Sequence, residues 1–366
     1  MIYMDNAATA WPRPAVVARE MARVAQGAFG NPGRGSHAAA RASAHVLLGA
    51  REALANHLGC PLERLLLTPG CTWGLNMALL GLRLRGGHVI STTHEHNALL
   101  RPLWRLMRRG EISLTLLPPE GLMTALEGVR RPNTRLVALA HGSNVTGELR
   151  DVEAIGAWCR SRGIWLAVDG AQTVGHLRYD LAHQPIDVLA FCGHKGLRGP
   201  MGTGGLYVRE GLALEPVVRG GTGGYTQELD PPDDWPDGYE PGTPNVAGMA
   251  GLAAAVGWID GRLNHEAAHA MAMAHRLAKG LRGLRGVRVI GDPQLPVVAM
   301  VHNAHEPVAI GEALDRRGIC VRTGFQCAPL IHREIGAPQG VVRFSPGSTT
   351  TAGEVDTCVA AVWGMK

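Results

Sequence analysis

Short apolar runs recur at regular intervals along the first two hundred residues, with helical or turn patterns between them. RLLLTPG, HVISTTH, ISLTLLPP, RLVALAHGSN, IWLAVDGAQ, DVLAFCGHKG and GGLYVRE are such runs. They are apolar on both sides, which predicts strands buried on both faces rather than a half-exposed sheet. HAAARASAHVLLGAREALANHLG (37–59) is rich in Ala, Leu and Arg and ends in Gly59, which predicts a helix. Alternation of the two patterns predicts an α/β fold with a mainly parallel, seven-stranded sheet. Ligands in such folds bind at the carboxyl ends of the strands. That singles out Cys71 and Thr72, His94 to Asn97, Asn144, Asp169 and Gln172, and Cys192 to Lys195.

The texture changes after residue 208. The Gly-, Pro- and Asp-rich stretch over 217–245 predicts a long loop. Beyond it the pattern predicts helices over 246–262, near 264–282 and near 308–318, strands near VRVIGD, LPVVAMVHN, ICVRTG and VVRFSP, and a last helix from 352. A large domain over 16–255 is expected, with 1–15 and 256–366 forming a smaller α+β domain.

Composition narrows the function classes. A hydrophobic share of 46% in 366 residues is that of an ordinary globular chain. The net charge of +5 comes from scattered arginines without interleaved aromatics, so no nucleic-acid partner is expected. VAGMAGLAAAVGWI is too short to span a bilayer, and MIYMDNAATAWPRP lacks the basic and apolar regions of a secretory leader. Seven cysteines, at 60, 71, 159, 192, 320, 327 and 358, form no CxxC pair, which predicts reduced thiols and a cytoplasmic location. Cys60, Cys159, Cys320 and Cys358 fall in helix, helix-end or strand patterns and read as core. Cys327 follows a Gly-containing polar turn and precedes Ala-Pro, which suits a loop that swings into a pocket.

One residue stands out. Of the 36 Lys plus Arg, only Lys195, Lys279 and Lys366 are lysines, and Lys195 sits in FCGHKG at a strand end. A lysine that loses its proton can form an imine, and a guanidinium cannot. In IWLAVDGAQ, Asp169 ends the preceding strand, where a carboxylate can hold a buried ring nitrogen protonated. RLLLTPGCTWGLN puts Cys71 and Thr72 at a helix start, which suits a phosphate. An imine-forming lysine, a ring-nitrogen acid and a phosphate site together describe a pyridoxal 5'-phosphate pocket.

YMDNAAT, GNPGRGSH, EHNALL, HGSNVTG, VDGAQ, GHKG with GPMGTGGLYV, GTPN, VRTGFQCAP and VVRFSPG extend the pattern over nearly the whole chain. In this order they resemble the class V, fold-type I pyridoxal phosphate enzymes, and among them the cysteine desulfurase and selenocysteine lyase branch. The resemblance implies that Lys195 carries the cofactor, His96 stacks on its ring, Asp169 pairs with its nitrogen, and Asn144 and Gln172 lie near the ring oxygen or imine. It implies a phosphate site of Cys71, Thr72, Cys192 and His194, completed in a homodimer by Thr243 of the partner subunit. Arg343, with Asn6 nearby, would grip a substrate carboxylate. Cys327, beside Arg322, would take sulfur from L-cysteine, leave L-alanine, and pass the persulfide to an acceptor or scaffold protein of iron–sulfur cluster assembly. Selenocysteine lyase, or another class V lyase or aminotransferase, is the alternative reading. Cys192 and Cys71 stand where relatives carry Ser or Thr, and Trp73 where a Glu is common, so the phosphate contacts depart from the family's.

Other motifs compete. NHEAAHAMAMAH contains His265, Glu266, His269 and His275 in the HExxH pattern of zinc hydrolases. The extended form of that pattern has a glycine where this chain has Ala272. In a continuous helix His275 stands roughly 120° around from His269. HEH at 94–96 would need further ligands to hold a metal. GPMGTGG and GGTGG lack the spacing of nucleotide loops, and NVT at 144–146 fits a glycosylation sequon.

Overall fold

The computed structural model describes residues 1–33, 35–221, 227–229 and 234–365. A two-residue strand, β1 (Ile2–Tyr3), precedes helices α1 (Ala15–Gln26) and α2 (Ala38–Leu58). Strands and helices then alternate through β2 (Leu65–Thr68), α3 (Cys71–Gly81), β3 (Gly87–Thr92), α4 (Asn97–Arg108), β4 (Ile112–Leu117), α5 (Leu122–Val129), β5 (Thr134–Ala140), α6 (Val152–Arg160) and β6 (Trp165–Asp169). Two strands, β7 (Val188–Cys192) and β8 (Gly204–Val208), complete the series.

All seven apolar runs become strands of one sheet, in the order β2-β8-β7-β6-β5-β3-β4. The strands from β4 to β7 in that order are parallel, and β8 runs against both neighbours. The link between Cys192 and Gly204 is too short for a crossover helix, so the chain returns beside β7 in the opposite direction. β2 opposes β8 in turn and so points the same way as β7. Its carboxyl end joins those of the parallel strands at one edge.

The apolar runs are continuous because successive side chains enter two different cores. Val137, Leu139, Leu166, Val168, Leu189 and Phe191 pack with Leu54 and Leu58 of α2 and Ile155 of α6. Leu136, Ala138, Ala167, Val188 and Ala190 pack on the other face, with Leu75 and Leu79 of α3 and Leu99 and Leu103 of α4. A one-residue slip of any central strand would exchange its two sets.

The expected loop over 217–245 lies partly outside the described residues, as does GGTGG. After it come α7 (Val246–Asp260) and α8 (Leu263–Arg282). The expected domain edge at 255 falls inside α7, whose Leu252, Val256 and Ile259 all belong to the first large core. The break between cores falls within α8, whose Leu263 belongs to the first core and whose Ala274 and Leu277 belong to that of the second unit. The second unit contains β9 (Val287–Ile290), β10 (Val298–His302), α9 (Pro307–Asp315), β11 (Ile319–Cys320), β12 (Arg322–Gly324), α10 (Ile331–Glu334), β13 (Val341–Phe344) and α11 (Ala352–Trp363). ICVRTG reads as one strand but forms two, because the chain changes partner at Val321. β11 pairs parallel with β1, and β12 joins the antiparallel sheet β12-β13-β10-β9.

One close approach fixes the sheet edge. Gly175 has φ +87°, and a Cβ there would lie 2.2 Å from the Gly196 carbonyl carbon and 2.3 Å from Leu197 N. The turn after β7 therefore lies backbone against backbone on the turn after β6. Replacing Gly175 by Ala introduces both a left-handed alanine and this overlap, and should lower stability by about 2 kcal/mol or more. The check is the urea midpoint at constant m-value; an unchanged midpoint would show that the two turns are not held by this contact.

Candidate active site

The carboxyl ends of the parallel strands open onto a cavity of about 300 Å³. Its lining brings together Cys71, Thr72, His96, Asn144, Asp169, Gln172, Cys192, His194, Lys195, Arg322, Cys327 and Arg343, residues singled out from the sequence, and adds Gln326. Elements place them directly. Asp169 and Cys192 end neighbouring strands, Lys195 lies in the turn beyond Cys192, and His96 is the N-cap of α4.

Hydrogen bonds set the chemical state of several groups. Asp169 Oδ1 accepts from Ala171 N at 2.9 Å and from the Cys71 thiol at 3.2 Å, while Oδ2 has no partner among the described residues. His96 Nδ1 accepts from Ala98 N at 3.0 Å, so the neutral ring carries its proton on Nε2. Burial lowers the His96 pKa, against the pull of Asp169. Lys195 Nζ has no hydrogen bond or ion pair among the described residues. Arg343 is 1% exposed. It donates to Asp5 Oδ1 at 2.9 Å and to Asn144 O at 3.0 Å, and its buried Nε is unpaired. Its charge is tolerable there only because Asp5 faces it.

Cys327 is half-buried and receives a hydrogen bond from Arg322 Nη2 at 3.3 Å. Burial pushes five other thiols up: Cys60, Cys159 and Cys358 to about 12, and Cys71 and Cys192 upward as well. Of the cysteines read as core, Cys159 and Cys358 are buried, whereas Cys60 and Cys320 are half-buried. Gln326 and Cys327 both adopt left-handed backbone, at φ +50° and +58°. Such residues cost roughly 1–3 kcal/mol each and persist where neighbours hold them. Asn97 N donates to Cys327 O at 2.7 Å, and Asn144 Nδ2 to Gln326 O at 2.7 Å. The segment expected as a loop forms a short turn at the cavity wall, held there by these two bonds.

Two expected residues lie elsewhere. Asn6 lines a separate cavity behind Lys195, and its side chain bonds to Ser345 O at 3.0 Å and Trp11 N at 3.1 Å. Thr243 is exposed, just before the N-cap of α7, and is not among the cavity's lining residues. Sequence reasoning gave no role to Asp5 or Glu95. The Glu95 carboxylate accepts from Thr92 Oγ1 at 2.5 Å and Ala140 N at 2.7 Å, tying the ends of β3 and β5 just before His96. The signal available in the sequence was a glutamate directly before His96 at a strand end.

The competing motifs resolve into structure. The helix carrying HExxH runs unbroken over Leu263–Arg282. His269 Nε2 faces Thr350 O at 2.7 Å, His275 Nε2 faces Pro293 O at 3.1 Å, and Glu266 pairs with Arg198. In HEH, His94 turns from the cavity to Glu334 at 3.1 Å, with Glu120 nearby, and His96 does not join them.

A pyridoxal phosphate fits this lining. α3 starts after Gly70 with no side-chain cap, so the amides of Cys71, Thr72 and Trp73 have no intrahelical acceptor and can meet a phosphate. His194 Nδ1, buried and unpaired, lies on the same lining, and the open Asp169 oxygen and Lys195 Nζ can serve the ring nitrogen and carbonyl carbon.

The family model for aminotransferase class-V matches residues 2–358, and the chain belongs to this family. A probable cysteine desulfurase of Methanothermobacter thermautotrophicus is 31% identical over 373 residues, spanning 97% of this chain and 92% of that one. Among solved structures, apo cysteine desulfurase from Thermococcus onnurineus NA1 matches with a TM-score of 0.89 at 29% identity, over 99% of this chain and 94% of the other. The cysteine desulfurase CsdA of Escherichia coli, in an S-sulfonic acid form, matches at 0.88 and 30% identity, over 98% and 93%. The architecture is that of the pyridoxal phosphate enzymes, as the motifs led one to expect.

Burial lowers His88, His94, His141, His176 and His194 to about 4, and raises Glu95 to about 7. Between pH 6.5 and 4 the unfolded chain binds more protons at these histidines, so stability falls as pH falls. Glu95 acts oppositely between about 4.5 and 7, one group against five. The urea midpoint should therefore drop steeply from pH 6.5 to 5; a flat profile across that window would contradict the neutral, buried histidines.

Proposed function

We propose that this protein is a pyridoxal phosphate-dependent cysteine desulfurase that takes L-cysteine to L-alanine and carries the sulfur on Cys327. The observation that carries this reading is the presence of Lys195 and Cys327 on one cavity wall, with Asp169 and the unpaired Nε of Arg343 also on it. The cofactor supplies an electron sink for the carbanion formed next to the substrate's carboxylate.

The chain's own groups do the rest. Arg343 Nε and its neighbouring charge orient the substrate carboxylate. Lys195 Nζ binds the cofactor at rest and moves the substrate α-proton once released. Asp169 keeps the ring nitrogen protonated through its free oxygen. His96 covers the ring and offers its Nε2 proton. The Cys327 thiolate, beside the Arg322 guanidinium, attacks the substrate sulfur. An S–S bond forms, the C–S bond breaks with its electrons going to carbon, and a proton completes alanine. The resulting persulfide passes to an acceptor thiol.

The exposed Trp73, Trp104 and Phe325 offer apolar surface to a second copy in a homodimer, and Thr243 of the partner subunit would complete the phosphate site. The acceptor would be a protein, and the setting a cytoplasmic role in iron–sulfur assembly. No helix among the described residues is long and apolar enough to cross a membrane.

Two variants test the reading. Lys195→Ala should lose the borohydride-reducible yellow chromophore, and an intact one would remove Lys195 from its role. Cys327→Ser should keep the chromophore but lose persulfide formation from cysteine, with activity down at least about a hundredfold. Full alanine and sulfide production by that variant would point instead to a lyase that needs no attacking thiol.

A further inference from the structure

Arg198 lies three residues beyond Lys195 in the turn after β7 and has φ +60°. It shares left-handed backbone only with Gln326 and Cys327 among the described non-glycine residues. Its amide donates to Lys195 O at 2.8 Å, so its conformation and that of Lys195 are joined. A left-handed arginine needs its surroundings to hold it, and they do so through the side chain.

The Arg198 guanidinium is almost wholly buried. Nη1 donates to Glu266 Oε2 at 3.1 Å and to Ser348 Oγ at 2.5 Å, and Nη2 donates to Pro12 O at 3.0 Å. Its carbon lies 5.4 Å from the Trp258 ring centroid. These partners come from four places. Glu266 is on α8, within the HExxH pattern. Ser348 is in the turn that follows β13, the strand of Arg343. Pro12 lies in the segment whose Ala10 N donates to His194 O at 2.8 Å and whose Arg13 Nε donates to Gly199 O at 3.0 Å. Trp258 is on α7. His269 holds the same turn after β13 through Thr350 O at 2.7 Å.

Some of these segments border a small second cavity of about 40 Å³, lined in part by Gln172, His176, Arg198, Glu266 and Ser348. Lys195 lines this cavity and the larger one alike. Lys195 therefore stands at the boundary between them, and Arg198 ties the turn that carries it to the surrounding segments, alongside the contacts of Ala10, Arg13 and Gly175.

We propose that Arg198, held by Glu266, is a positioning residue for Lys195, fixing the lysine turn to the turn beyond Arg343 so that the lysine and the carboxylate-binding arginine stay in register. The inference rests on Lys195 as the cofactor lysine. It also assigns the HExxH stretch its part, as a clamp from the second unit rather than a metal site. A misplacement of the lysine by about 1 Å is enough to slow proton transfer on the order of a hundredfold, with little effect on how the substrate carboxylate is bound.

The experiment uses the cofactor-loaded full chain. Glu266→Gln keeps the side chain's shape and removes its charge, Arg198→Lys keeps the charge and removes the fork, and Arg198→Leu removes both. Each is compared with His265→Ala, an exposed residue of the same motif. The expected result is a kcat lower by about ten- to a hundredfold in Glu266→Gln and Arg198→Leu, with KM for cysteine nearly unchanged. The pH at which the visible absorption of the lysine-bound cofactor titrates should move in the same variants, with Arg198→Lys intermediate and His265→Ala like wild type. If Arg198→Leu does not fold, Glu266→Gln alone decides. A Glu266→Gln protein with lower Tm but unaltered kcat and titration overturns the proposal, as does a change confined to KM. A wild type whose reducible chromophore maps to a residue other than Lys195 overturns the site reading itself, and this inference with it.

Discussion

The contact between Gly175 and Gly196 governs the geometry of the whole site. β6 and β7 are adjacent parallel strands, so their carboxyl ends lie only about 5 Å apart. Each is followed by a turn, and both turns must occupy the same narrow edge. They can do so because neither presents a side chain where the backbones meet. Asp169 and Lys195 thereby reach one cavity from neighbouring strands. The remaining walls follow: α3 from the strand beyond β8, α4 from the far side of β5, and the small sheet from above. A side chain at either glycine would separate the acid from the lysine before it disturbed anything else.

Charge in the cavity is controlled by which groups lack partners. Arg343 and Asp5 neutralise one another in a setting where either alone would be costly. His96 is held neutral with a defined tautomer. Most of the thiols are held as thiols by burial, whereas Cys327 faces a guanidinium. Among the described residues the pocket offers unsatisfied atoms where a phosphate, a protonated ring nitrogen, a carbonyl carbon and a carboxylate have to be met, and one more at Gln326 Oε1. This selectivity comes from packing rather than from the number of polar residues.

Much of this was legible in the chain. The seven buried strands could be read because their side chains alternate between two cores, which leaves continuous apolar runs. The cavity residues could be read because parallel strands end at one edge. What the sequence did not disclose depends on contacts between distant segments. Asp5 is invisible until β13 brings Arg343 beside it. Arg198 is one arginine among many until Glu266, Ser348 and Pro12 converge on it. ICVRTG looks like one strand because a change of partner leaves no mark on local apolarity. The turn at Cys327 could not be read for a related reason: the bonds that hold it here come from Asn97 and Asn144, more than a hundred residues away.

The first dozen residues illustrate how non-local the site is. β1 pairs with Ile319–Cys320, Asn6 N bonds to Ser345 O, and Asp5 meets Arg343. The large sheet draws only on residues 65–208 and can form without them. During synthesis at roughly 5–20 residues per second, the N-terminal segment therefore waits on the order of tens of seconds for its partners. Assembly is ordered in time: the lysine and the acid come together first, and the roof over them is laid last, from both extremes of the chain at once.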